Sequence, residues 1–164
     1  LGKHRAVAIA ALWLGIIQLA IPLLPDRNMV LTAIAMTLAG IPFAAPAFLL
    51  RAMLADLNDA QLLDRRLKGQ AEQDTTGLAF ALLTATAKLG YATPVGLLYP
   101  LLGLFGFDPK PGAANEGIAI TALLVLFVAP PTLCGLLAFV LARRWPIDAA
   151  AHADIRARLA SASA

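Results

Sequence analysis

Four stretches of this chain are so long and so poor in charge that they constrain it to cross a membrane. Residues 6–25, 28–50 and 117–142 run for 20, 23 and 26 residues without one charged side chain. Between Asp74 and Asp108 another 33 residues contain a single charge, Lys88. A hydrocarbon core of about 30 Å is crossed by roughly 20 helical residues rising about 1.5 Å each, so every stretch suffices. Backbone polar groups in lipid must be satisfied within the segment, which a helix does. With 60% hydrophobic residues among 164 and a mean hydropathy of +0.77, little chain remains for a water-soluble domain. The expected fold is an all-α membrane protein with helices at about 6–25, 28–50, 77–106 and 117–142, a loop at 51–76 and a tail at 143–164.

Positive charge orients these helices, because Lys and Arg resist translocation. Lys3, Arg5, Arg51, Arg65, Arg66, Lys68, Arg143, Arg144, Arg156 and Arg158 fall on one side, and only Arg27 and Lys110 on the other. Both ends and the 51–76 loop are therefore expected in the cytoplasm. The net charge of +3 follows from topology and calls for no nucleic-acid partner; contact with anionic lipid is a secondary effect. Trp145, next to Arg143 and Arg144, suits an interfacial anchor.

Pro22, Pro42, Pro46, Pro94, Pro100, Pro130 and Pro131 lie in or near the spans. Each removes a backbone donor, and seven together predict bent helices around a cavity. Gly90, Gly96, Gly103 and Gly106 permit close approach in the third span, without a strict Gly-x-x-x-Gly pair. The lone Cys134 excludes a disulfide framework and reads as a packing residue. The chain opens on Leu-Gly-Lys-His-Arg with no initiator Met and no signal-peptide cleavage site, the manner of an interior loop. It reads as a fragment of a longer membrane protein.

Lys88 is the main functional candidate. If the third helix begins near Gly77, Lys88 lies about 16 Å along it, close to the bilayer middle. Thr84 four residues before, Tyr91 three after and Tyr99 eleven after form one stripe with it, suited to line water or a polar substrate. An ion pair between helices or snorkelling would be the purely structural explanations. Snorkelling is weak at mid-depth, and no Asp or Glu lies within the four spans. The counter-charge is thus expected on a missing helix or on a bound solute.

A second signal follows the second span. Asp56 and Asp59, three apart, share a helical face at the membrane edge. Such a pair suits Mg²⁺, but the Gly, Arg and further Asp residues of carboxylate metal motifs are missing. Gating or loop-anchoring salt bridges with Arg51, Arg65 or Arg66 are the expected role. In the tail, Asp148 can cap a short amphipathic helix with Ile155 and Leu159 on one face and Arg156 and Arg158 in water. His152 and Asp154 read as an exposed polar face, and His4 as part of a basic loop. No nucleotide loop, metal cluster or serine-elbow pattern occurs, so neither an enzyme nor a cofactor is expected.

The stretch Arg51-Ala-Met-Leu-Ala-Asp56-Leu-Asn-Asp59, a polar loop ending at Gly77, and Leu-Ala-Phe-Ala-Leu-Leu-Thr84-Ala-Thr-Ala-Lys88-Leu-Gly resembles the helix 10 to helix 11 region of the glycoside-pentoside-hexuronide:cation symporters. These form the melibiose-permease branch of the major facilitator superfamily. Gly103-Leu-Phe-Gly106-Phe-Asp108 is similar to the end of helix 11. Arg144-Trp-Pro-Ile-Asp148 and His152-Ala-Asp-Ile155-Arg-Ala-Arg-Leu159 are similar to the segment after helix 12, and Gly2-Lys3 to the turn before helix 9. The resemblance covers essentially all 164 residues. It implies that the spans are helices 9 to 12 of a twelve-helix fold, that the earlier helices are absent, and that the whole protein moves a sugar or related polar solute with Na⁺ or H⁺ by alternating access in a bacterial cytoplasmic membrane. It places Lys88 and Thr84 near the sugar and cation sites.

Two departures qualify the match. Ala60 stands where the family has an aromatic or acidic residue, and Gly69-Gln-Ala-Glu72-Gln-Asp-Thr-Thr-Gly77 stands for its short Gly-x-Arg-x-Glu-Gly passage without the arginine at its usual place, so the cytoplasmic charge network is expected to be wired differently. Phe43 and Phe48 are the only aromatics of the second span. The alternative to the transporter reading is a self-contained four-helix membrane protein with a structural or enzymatic role.

Overall fold

The computed structural model describes residues 2–25, 28–70 and 75–161. Leu1, Arg27 and the Glu72-containing part of the middle loop lie outside the described residues. Every regular element described is a helix: α1 (Lys3–Ala20), tightening into a 3-10 turn at Ile21–Leu23, α2 (Met29–Gly40), α3 (Ala45–Leu67), α4 (Thr76–Thr93), α5 (Tyr99–Leu104), α6 (Ile118–Arg143) and α7 (Ala149–Ser161). A π turn at Pro94–Leu98 joins α4 to α5. Four units are long and apolar enough to cross a membrane: Lys3–Leu23, Met29–Leu67, Thr76–Leu104 and Ile118–Arg143. The all-α, four-span fold expected from the uncharged runs is the one the chain adopts.

The second span is broken, and the break has a chemical cause. Asn28 starts α2 by accepting the Leu31 N–H at 3.1 Å, a side-chain cap. Pro42 has no N–H to give the Leu38 carbonyl four residues back. The chain turns at 41–44, where the Phe43 N–H bonds to the Gly40 carbonyl at 3.1 Å. The Leu38 carbonyl is served from outside its helix, by the indole Nε1 of Trp13 on α1 at 2.9 Å. Pro46 then sits in the first turn of α3, where no donor is needed.

The helix continues to Leu67, through residues that sequence reading assigns to a loop from 51 onward. It buries one face, Met53, Asp56 and Leu63, and leaves Arg51 and Asp64 exposed, so the charged stretch is amphipathic rather than irregular. Gly69 stops it at φ +63. There the Gln70 N–H bonds to the Arg65 carbonyl at 3.0 Å and the Gly69 N–H to Arg66 at 3.1 Å, the paired closure that a left-handed residue permits.

The third span is irregular at its far half. Pro94 and Pro100 bracket the wide turn, and each removes the donor that a regular helix would direct at Gly90 or Gly96. Widening by about one residue lets the ladder resume in α5.

The core is a seam between α1 and α6, which pack along their lengths. α1 buries Val7, Ala8, Ala11, Gly15 and Gln18, and α6 buries Ala119, Ala122, Val128, Thr132, Gly135 and Ala142. Most are small, which lets two backbones approach where lipid leaves little hydrophobic drive for helix association. α6 stays helical through Pro130 and Pro131. Gln18 Oε1 and Thr132 Oγ1 are buried with no hydrogen-bond partner among the described residues.

At one end of the seam Val7, Ala8, Met53 and Ala142 form a cluster covered by Leu49, Phe139 and Trp145. Trp145 thus packs on the apolar side chains of this cluster. α2 and α4 bury no residue, which leaves two flanks of the bundle open.

Candidate functional site

Two groups of polar residues stand out, one at the charged end of the bundle and one midway along α4. At the charged end, α3 carries Asp56 and Asp59 one helical turn apart. Lys3, the first residue of α1, places its Nζ 2.8 Å from both carboxylate oxygens of Asp56. His152 of α7 places Nε2 3.0 Å from Asp59 Oδ2 and 3.4 Å from Asp56 Oδ1. Asp56 is buried, so its charge depends on these two partners, since an unpaired carboxylate is costly away from water.

Asp56 and Asp59 thus pair with Lys3 and His152, not with the arginines expected from sequence. Arg51 is exposed and forms no ion pair among the described residues. Arg66 reaches α7 through the Leu159 carbonyl at 3.4 Å. His152, read from sequence as exposed, is half-buried in the cluster, and Asp154 pairs with Arg158 at 2.9 Å instead of with His152. His152 and Lys3 are the members that sequence reasoning missed; the signal for them was only their basic character near helix ends. The Ala151 N–H bonds to Asp148 Oδ1 at 2.8 Å, so Asp148 caps α7. Among the described residues no group of three or more His, Cys, Asp or Glu side chains is arranged to hold a metal ion, and Lys3 already engages Asp56.

Midway along α4, Thr84, Lys88 and Tyr91 stand on one face, all exposed on the open flank. Lys88 makes no ion pair among the described residues. The Thr84 hydroxyl donates to the Phe80 carbonyl at 2.9 Å, which leaves its oxygen free only to accept. Tyr91 is 72% exposed and Tyr99 62%. Tyr99 lies beyond the π turn at Pro94–Leu98, which interrupts the regular helical spacing between it and Lys88. Thr84, Lys88 and Tyr91 lie within the uninterrupted α4 and share one row. A cation and two hydroxyl-bearing side chains on one face can bind a polar, hydroxylated or anionic solute by hydrogen bonding.

The sequence model of the family described as MFS/sugar transport protein matches residues 1–149. No curated protein matches the chain, and no solved structure does.

Proposed function

We propose, since the chain belongs to the MFS/sugar transport protein family, that its four spans are helices 9 to 12 of a secondary active transporter. Membership implies an integral membrane transporter rather than an enzyme. In this reading the protein moves a sugar or related small polar solute together with Na⁺ or H⁺, by rocking two helical halves around a central site. The charged end with α7 faces the cytoplasm, as the distribution of Lys and Arg favours.

Lys88 carries the reading. A charge at the middle of a span costs at least ~2.5 kcal/mol and is retained where it has work to do. Its helix offers Lys88, Thr84 and Tyr91 on a flank that no other described helix covers. Further helices of the transporter close that flank and supply the opposing carboxylates, and the solute lies between.

Uptake of labelled sugars and uronates by the full-length protein in vesicles, with and without a Na⁺ or proton gradient, tests this. Accumulation of at least one solute that collapses with the cation gradient is expected. Uptake of every tested solute that is absent or indifferent to both gradients would refute it.

A further inference from the structure

We infer that His152 is a proton-operated catch that docks the tail helix α7 on the Asp56 and Asp59 pair of α3. The inference stands on the geometry of the charged end and does not depend on what the protein transports. The charged groups that meet at His152 are Lys3 from α1 and Asp56 and Asp59 from α3. Two carboxylates face one ammonium, so the cluster is neutral only when the imidazole carries its proton.

The distances place one nitrogen where it serves both acids. Nε2 lies 3.0 Å from Asp59 Oδ2, within hydrogen-bond distance, and 3.4 Å from Asp56 Oδ1, within ion-pair distance, so a charged imidazole faces both acids. The side chain of Asp56 is 9% exposed and that of His152 20%, so their attraction is screened less than at an open surface, whereas Asp59 at 42% stands more in solvent. An imidazolium adds direct attraction between opposite charges to its hydrogen bond with carboxylate, which a neutral imidazole does not. Once the imidazole loses its proton, the attraction weakens and the pair of acids keeps a surplus negative charge.

Other links between α7 and the bundle do not change with this proton. Arg66 holds the Leu159 carbonyl, and Arg158 is engaged with Asp154 on α7 itself. Asp148 caps the helix, and Arg156 is exposed. On α1 the neighbouring Arg5 is exposed, and His4 is half-buried. His152 is accordingly the imidazole of the contact between α7 and α3, the side-chain type whose charge rests on one exchangeable proton. Docking is strong while the imidazole is charged and weakens as pH rises and the proton leaves.

The test uses the full chain in lipid vesicles, free of reactive cysteines, with Cys134→Ala and spin labels at Gln61→Cys on α3 and Ala160→Cys on α7. Distance distributions are recorded at about pH 5.5 and about pH 8.5, on either side of imidazole titration. A docked population should dominate at the lower pH, and its ratio to the released population should fall about fivefold at the higher, the difference between a charged and a neutral hydrogen bond. His152→Arg should keep the docked distance at both pH values, and His152→Gln should show the weakened ratio at both. A distribution that is the same at both pH values in the parent chain would overturn the inference. So would a His152→Gln profile that still follows pH as the parent does.

Discussion

The indole Nε1 of Trp13 donates at 2.9 Å to the Leu38 carbonyl, the acceptor that Pro42 leaves without its helical donor. A defect in one span is closed by a side chain of another, and the register between α1 and α2 is tied to that bond. Trp13→Phe should destabilise the protein by about 0.5–2 kcal/mol, the range for such bonds in membrane proteins and for stranded acceptors. Pro42→Ala restores a donor within the helix, so in that background the same replacement should cost much less. Unfolding in mixed micelles gives the four stabilities of the cycle. An equal cost of Trp13→Phe with and without Pro42 would break the link drawn here.

At Gly135 the α6 backbone approaches that of α1 closely. A Cβ built on it meets the Ala11 carbonyl oxygen at 3.0 Å, whereas one on Gly15 across the seam meets nothing within 4 Å. Backbone cannot swing aside as a long side chain can. Gly135→Val is therefore expected to push the helices apart at a cost of about 1–3 kcal/mol, while Gly15→Ala should lie within about 0.5 kcal/mol of the parent. Thermal unfolding of the two variants decides it, and similar losses for both would show that the seam does not depend on this contact.

Asp56 and Asp59 differ in setting although they share a helical face. Asp56 is 9% exposed at its side chain and takes Lys3 and His152, and Asp59 is 42% exposed. Asp56→Asn should cost about 1–3 kcal/mol, mainly because Lys3 and His152 lose their charged acceptor at a buried position. Asp59→Asn should cost less than about 1 kcal/mol, screened by solvent. Raising the salt concentration should shrink the second effect more than the first. Equal losses at both positions would contradict this ranking.

The spans could be read from sequence because uninterrupted apolar length is a local property. The partners of Asp56 and Asp59 could not be. Sequence offered Arg51, Arg65 and Arg66 from the same stretch, but Lys3 and His152 come from 53 and 93 residues away, and no local periodicity carries such a pairing. Asp148 was legible as a cap because capping acts within one turn. Residues 51–67 looked like a loop because their charge masks an amphipathic helix whose buried face is only Met53, Asp56 and Leu63. Pro42 signalled a break, yet nothing in sequence showed that Trp13 would repair it. Regular spacing put Tyr99 in line with Lys88, and a π turn at Pro94–Leu98 interrupts that spacing.

Lys88 should show a trade between function and stability. In the full-length protein, Lys88→Ala is expected to abolish coupled uptake while leaving membrane insertion intact. Removing the charge should also ease insertion of this span by up to about 2.5–3.5 kcal/mol. The hydroxyls around it should matter unequally. The Tyr91 hydroxyl stands exposed, so Tyr91→Phe should raise the half-saturating solute concentration about tenfold, one hydrogen bond's worth. Thr84 already donates to Phe80, so Thr84→Val should raise it by less. Uptake kinetics measured beside surface expression separate these outcomes. Parent-like uptake in Lys88→Ala, or a defect that tracks lost protein alone, would remove Lys88 from the transport site.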